Sequence, residues 1–446
     1  MDGYKIVFLL AFIIAGRFPV LFAQEVTFAD THIQRCVNEI SADSIEASVM
    51  KLVSFQTRHN LSASDNPEQG IGAAARWLEA RVASWIPASE GRLSVQKVFY
   101  TVGGPGSRLE REVTLCNVVA TLEGTAGMEY SEGIANGSGE IVLLAHYDSR
   151  AKDGNDSTSF APGANDNGSG VACLLEIVRI LSANPLPVTV RCMFLSGEEH
   201  GLLGAAEMAK EAGDNNRNII AVINNDMIGN TEASQTGHRD NSTVRVFSAE
   251  GPSRELARYI KEIGEQYTDH MTVRLIFRND RYGRGGDHTP FLRAGYPSVR
   301  ISEYHENYDR THQIVEERDG IKYGDVPEGV DFSYVRKNAS VNLASVMNLA
   351  KAPLAPVNLT MNDRELNNFT VLKWEYPTGA VASSSGAAAS PAGYYVLLRE
   401  TDSPVWQKRI FVTQTQITIP YSKDNYIFGV QSVDSRGHVS LPCTIE

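Results

Sequence analysis

Between residues 140 and 302 the chain repeats one rhythm: a short, almost uninterrupted apolar run, then a stretch with helical spacing. The runs lie at 141–146 (IVLLAH), 188–195 (VTVRCMFL), 219–227 (IIAVINNDM), 273–277 (VRLIF) and 297–302 (PSVRIS), and the helical patterns at 168–182, 201–213, 253–268 and 287–294. Strands apolar on both sides must be covered on both faces, which crossover helices accomplish. The pattern therefore predicts an α/β fold, a mostly parallel mixed sheet flanked by helices. In such sheets ligands gather beyond the carboxyl ends of the strands. This chain places polar residues there three times: His146 and Asp148 after the first run, Glu198 and Glu199 after the second, Asp226 after the third.

The flanks complete the expected organisation. Ser41 or Asp43 caps a helical pattern through Phe55, another runs from 73 to 85, and alternating segments at 93–102 and 112–122 read as strands. Residues 124–139 are rich in Gly, Ser and Glu and read as an exposed loop. A helical pattern at 335–349 closes a first domain spanning 24–350, and the proline-bearing stretch 351–357 reads as a linker. Residues 358–446 change character to short alternating strands with turn signals, an all-β sandwich. With Trp374, the Tyr426 strand and the closing VDSRGHVSLP, this part resembles a fibronectin type III module. Analogy makes polymer or surface contact its expected role. Residues 380–393 (AVASSSGAAASPAG) read as a low-complexity insertion between two of its strands.

Charge and termini narrow the setting. The net charge is −12 with no basic patch, which excludes nucleic acid as a partner. Residues 1–23 combine Lys5, a short apolar run and Ala23 before Gln24, the pattern of a signal peptide rather than an anchor. The expected location is secreted, extracellular or periplasmic. No other stretch approaches the ~20 consecutive apolar residues of a membrane span, so none is expected in the mature chain. Of the five cysteines, Cys173 and Cys192 read as buried small apolar residues, and Cys36 with Cys116 is the pair to test for a disulfide. Glycosylation acceptor sequences occur at Asn60, Asn136, Asn155, Asn167, Asn241, Asn338, Asn358 and Asn368, the one at Asn167 being incidental to its place in the proposed site.

Five candidate metal ligands stand out: His146, Asp166, Glu199, Asp226 and His312, with His305 and the Asp309 carboxylate competing for the place of the last. Two imidazoles with three carboxylates suit zinc better than calcium or thiolate-seeking metals. Five donors exceed what one tetrahedral zinc with an open position needs. They suit two Zn2+ ions that share one carboxylate and a water, each with its own His and carboxylate. Glu198 is then free as a general base, and Asp148 is placed to hold the second nitrogen of His146. Taken singly, Asp166 beside Gly168 also reads as a helix cap, and Glu198-Glu199 as favourable charge at a helix start.

Taken in order, HYDS, PGANDNGSGVA, GEEHGLLGA, NNDMIG, DHTPFLRAGYP and the late His resemble the co-catalytic dizinc aminopeptidases of the bacterial leucyl aminopeptidase type, over about residues 40–350. The resemblance implies a zinc exopeptidase fold with Asp166 as the bridging carboxylate. It implies His146 and Asp226 on one metal, Glu199 and His312 on the other, Glu198 as catalytic base and Asp148 supporting it. In many such proteins a Thr and an Asp follow the last His, whereas this chain reads HENYDRTHQ; His312 is matched through the preceding SEYHENY wording of a secreted subgroup. Asp287-His288 is implied to lie near the substrate pocket. The implied function is a secreted metallo-exopeptidase that removes N-terminal residues from peptides with a free N-terminus. The alternatives are a carboxypeptidase or single-zinc glutaminyl cyclase on the same fold, or a non-catalytic binding ectodomain.

Overall fold

The apolar runs are buried on both sides because successive side chains of one strand feed two different cores. In β3 (Glu140–His146), Ile141, Leu143 and Ala145 join the larger core, while Val142 and Leu144 point to the other. The computed structural model describes residues 29–125, 139–362, 364–377 and 391–445. The signal-peptide stretch and residues 126–138 and 378–390 lie outside them, which removes most of the expected 124–139 loop and of the low-complexity insertion.

Eight strands form the main sheet in the order β1-β2-β4-β3-β5-β8-β6-β7. They are β1 (Leu93–Val102), β2 (Val113–Leu122), β3, β4 (Thr189–Leu195), β5 (Ile219–Asn225), β6 (Thr243–Ser248), β7 (Thr272–Ile276) and β8 (Ser298–Glu303). The centre, β4-β3-β5-β8, is parallel throughout. Antiparallel pairings of β1 with β2, β2 with β4 and β6 with β8 make the sheet mixed. Helices α1 (Thr31–Asn38), α2 (Ala42–Val53), α3 (Gly70–Ala83), α4 (Gly168–Ala183), α6 (Pro252–Tyr267) and α8 (Phe332–Lys351) bury their apolar stripes in the larger core. α5 (Leu203–Asp214) and α7 (His288–Arg293) cover the opposite face. The expected fold is therefore the observed one.

Two main-domain elements and one hairpin go beyond the sequence reading. α1 is a two-turn helix whose Ile33, Cys36 and Val37 are buried. β6 inserts antiparallel beside β8, and a small exposed hairpin, β9 (Glu316–Arg318) with β10 (Ile321–Tyr323), separates His312 from Asp325. The proposed Cys36–Cys116 disulfide is not formed, and all five cysteines are free thiols. Cys36 is packed into the core from α1, whereas Cys116 lies in mid-β2 paired opposite Phe99. Cys173 and Cys192 are fully buried, as expected of small apolar residues.

Beyond α8 the chain builds two antiparallel sheets, β11-β12-β15 and β14-β13-β16-β17. Their strands are β11 (Val357–Met361), β12 (Thr370–Glu375), β13 (Gly393–Glu400), β14 (Lys408–Val412), β15 (Gln416–Ile419), β16 (Tyr426–Val433) and β17 (Cys443–Thr444). Leu372, Trp374, Tyr394, Val396, Leu398, Ile419, Phe428 and Val430 form the core between them. This is the sandwich architecture that the fibronectin-like resemblance implies. The sandwich docks on α6 and α8: Trp406 Nε1 donates to Glu255 at 3.1 Å, and Val439 N donates to Asn348 at 3.2 Å. Across the same contact His438 Nε2 lies 2.9 Å from the Asp30 carboxylate.

Candidate metal centre

All five candidate ligands meet at one end of the parallel strands. His146 ends β3, Asp226 follows β5, and Glu199 follows β4, so the parallel register brings them to one level. Asp166 stands just before α4, whose cap is Asn167, accepting from Gly170 N at 3.1 Å. The capping role open to Asp166 thus belongs to its neighbour, leaving the Asp166 carboxylate free to face inward. His312 arrives from the loop after β8 in a left-handed backbone conformation, φ 55°. His305 packs instead against Tyr304 and His238.

The ligand atoms form two triads with Asp166 in both: His146–Asp166–Asp226 and Asp166–Glu199–His312. Asp166 turns one oxygen to each side. Its Oδ1 lies 3.3 Å from His146 Nε2 and its Oδ2 2.9 Å from His312 Nε2. His146 Nε2 is also 3.7 Å from Asp226 Oδ1, and His312 Nε2 is 2.8 Å from Glu199 Oε1.

A dication fits this donor set. His146 Nε2 is buried and has no hydrogen-bond partner, which is costly unless something else fills its lone pair. Against the cost of burial, the Glu199 and Asp166 carboxylates push the His312 pKa up to about 10. A potential that holds a proton so firmly favours any cation at the same place. Two imidazoles and three carboxylates suit zinc, and the shared carboxylate suits a pair of ions.

Around the triads, residues hold the ligands in place. Arg300, fully buried in β8, reaches Asp226 Oδ2 at 3.2 Å and Asp280 Oδ1 at 2.8 Å. Although burial opposes it, Arg300 with His146 lowers the Asp226 carboxyl to about 2. Arg150 Nε donates to Glu199 Oε2 at 2.9 Å, the oxygen turned away from His312. Asp325 accepts from Asn165 N at 2.8 Å and Asp166 N at 2.7 Å, fixing the turn that carries the shared carboxylate. Burial pushes Asp325 up to about 7. None of these three was singled out in the sequence, although an arginine inside the apolar run PSVRIS is a visible signal of buried counter-charge.

Asp148 differs in detail from its expected role. The Nδ1 of His146 lies 3.1 Å from the Asp148 backbone carbonyl, and the Asp148 carboxylate is farther, at 3.5 Å. That carboxylate instead accepts from Glu198 N at 3.3 Å and Glu199 N at 3.2 Å, holding the Glu-Glu step. Glu198 is in neither triad. Burial raises its carboxyl well above the ordinary range; His146 opposes the shift, while Glu199, Asp226 and Asp287 add to it. Asp287 and His288 are fully buried next to the centre, and burial, with Asp148 and Asp226 nearby, pushes Asp287 up to about 8.

The model of the peptidase family M28 matches residues 117–324. A probable zinc metalloprotease of Leptosphaeria maculans is 40% identical over 426 residues, covering 91% of this chain and 94% of that relative. Among solved structures, LapB of Legionella pneumophila is similar with a TM-score of 0.54 at 17% identity, over 72% of this chain and 75% of that one. A leucine aminopeptidase precursor of Bacteroides thetaiotaomicron gives 0.50 at 18% identity, over 69% and 97%. The last two are likenesses of fold.

Proposed function

This chain belongs to the peptidase family M28, a zinc-dependent peptidase, and we propose that it is a secreted dizinc aminopeptidase with Glu198 as its general base. The observation that carries the reading is the double aspect of Asp166, with one oxygen toward His146 and the other toward His312. His146 and Asp226 would hold one zinc, Glu199 and His312 the other, and Asp166 both. When bound, the metal pair supplies Lewis-acid polarisation of the scissile carbonyl and acidifies a water.

The chain's own residues do the rest. Glu198 takes a proton from the attacking water at its carboxylate and passes it to the leaving nitrogen, so that water and peptide become a free amino acid and a shortened peptide. Burial raises its carboxyl above the ordinary range, and bound dications would draw it back down. Asp148 sets the backbone of the Glu-Glu step on which the base stands. Glu198 and Asp287, buried or half-buried carboxyl groups outside both triads, offer acceptors to a cationic group, which supports recognition of a free α-ammonium rather than a C-terminal carboxylate. The C-terminal sandwich is proposed to contact substrate or surfaces through its outer side; losing hydrolysis of polymeric but not small substrates when residues 358–446 are deleted is the result that role requires.

The test is metal analysis beside one substitution. Wild type should carry close to two zincs per chain and release N-terminal residues from aminoacyl anilides but not from N-blocked ones. Glu198→Gln should keep its zinc and lose activity by roughly 10²–10⁴-fold. Full activity in that variant, or one zinc per active wild-type chain, would end the proposal. Secretion is checked by sequencing the exported protein, which should begin at Gln24; an intracellular chain that keeps Met1 refutes it.

A further inference from the structure

The family model begins at residue 117, yet a short segment far upstream, residues 57–60, reaches the middle of the centre. Arg58, 1% exposed, donates to the carbonyls of Leu52, Tyr147, Pro162 and Gly163. It thereby ties the chain just after His146 to the chain just before Asp166. His59 and His200 both reach the Gly154 carbonyl from Nε2, each at 2.8 Å. Between them sits Asn60, also 1% exposed. Its Nδ2 donates to Asp148 Oδ2 at 2.7 Å and to His200 Nδ1 at 2.8 Å.

These bonds form a connected sequence of donors and acceptors, with only the Asn60 amide oxygen left without a partner in it. The two amide protons of Asn60 go to a carboxylate and to a ring nitrogen. His200, accepting at Nδ1, keeps its Nε2 proton for Gly154. Asp148, held by Asn60 on one oxygen, spends both oxygens on the backbone N–H groups of Glu198 and Glu199. The acceptor sequence Asn60-Leu61-Ser62 is thus used by the fold, because the nitrogen a glycan would need is bonded inside.

We propose that Asn60 is a positioning residue for the peptidase reaction: its amide holds the Asp148 carboxylate and the His200 ring in one geometry, and through them the backbone that carries Glu198. The inference rests on Glu198 being the base. A side chain with two donors is required here. An aspartate of the same size would set acceptor against acceptor at Asp148.

Wild type, Asn60→Ala and Asn60→Asp, each purified with zinc, would be compared for kcat and KM on an aminoacyl anilide near pH 8. Zinc per chain, active-site concentration from titration with an amino-acid hydroxamate, and Tm would be measured on the same samples. Asn60→Ala should lose about 10–100-fold in kcat per active site, as expected of a base displaced by up to an ångström, with KM within about threefold and zinc retained. Asn60→Asp should lose at least as much. Wild-type kcat in Asn60→Asp overturns the proposal, and so does a fall in activity matched by equal loss of zinc or of titratable sites. An inactive wild type overturns the peptidase reading together with this one, whereas an active wild type beside an unaffected Asn60→Asp overturns this one alone.

Discussion

Asp325 offers the sharpest test of how the shared carboxylate is held. Its two oxygens take Asn165 N at 2.8 and 3.0 Å and Asp166 N at 2.7 Å, and its own backbone carbonyl takes Ala164 N at 3.1 Å. Asp325→Asn keeps the volume but turns one oxygen into a donor. With the amide nitrogen in place of Oδ2, Asp166 N loses its acceptor; with it in place of Oδ1, Asn165 N meets a donor but keeps the amide oxygen 3.0 Å away. Setting a donor where a buried N–H had its acceptor costs about 1–3 kcal/mol. Felt in full at Asp166, the upper end of that range corresponds to about a hundredfold weaker zinc retention. Because Asp166 belongs to both triads, both ions should weaken together, whereas Glu199→Gln should weaken only one. Equilibrium dialysis against graded chelator, with zinc counted per chain, separates these outcomes. If Asp325→Asn retains two zincs as tightly as wild type, Asp325 does not hold the bridge.

Two further perturbations probe the surrounding framework. Asp30 accepts from His32 N at 2.7 Å, Lys351 Nζ at 3.1 Å and His438 Nε2 at 2.9 Å, joining α1, α8 and the C-terminal sandwich. Against the cost of burial these partners hold its carboxyl well below the ordinary range. A depressed carboxyl stabilises the fold above its unfolded pKa of ~3.9 and loses that contribution as pH falls further. Asp30→Asn should therefore cost about 2–4 kcal/mol in urea unfolding at pH 7, a difference that shrinks as pH falls below ~3.9 and is still partly present at pH ~2; a pH-independent difference would contradict the ionic account. Arg300→Met leaves Asp226 buried without its guanidinium and Asp280 with Arg281 alone, a loss of about 3–5 kcal/mol. Zinc beside Asp226 offsets part of that charge, so the destabilisation should be larger in chelator than with zinc, and equal losses would argue against the pairing.

What could be read in the sequence follows from where backbone periodicity gives direction. His146, Glu199 and Asp226 were legible because each follows an apolar run whose end the sheet must present at one edge. Asp166 was legible because its turn precedes a helical pattern, although the cap passed to Asn167. His312 was the least legible, and only resemblance set it before His305, since the segment around it has no periodicity to say which of two histidines turns inward. β6 escaped because a single antiparallel insertion breaks the alternation on which the reading relied. Arg150, Asp325 and Asn60 act through contacts with segments distant in sequence, and locally each reads only as a loop residue. Arg300 is different. A guanidinium in a strand covered on both faces must find buried counter-charge, so its presence in PSVRIS already implied carboxylates on neighbouring segments. Asp226 and Asp280 are the two it meets, which makes the charged exception in an apolar run as informative about this site as the strand ends themselves.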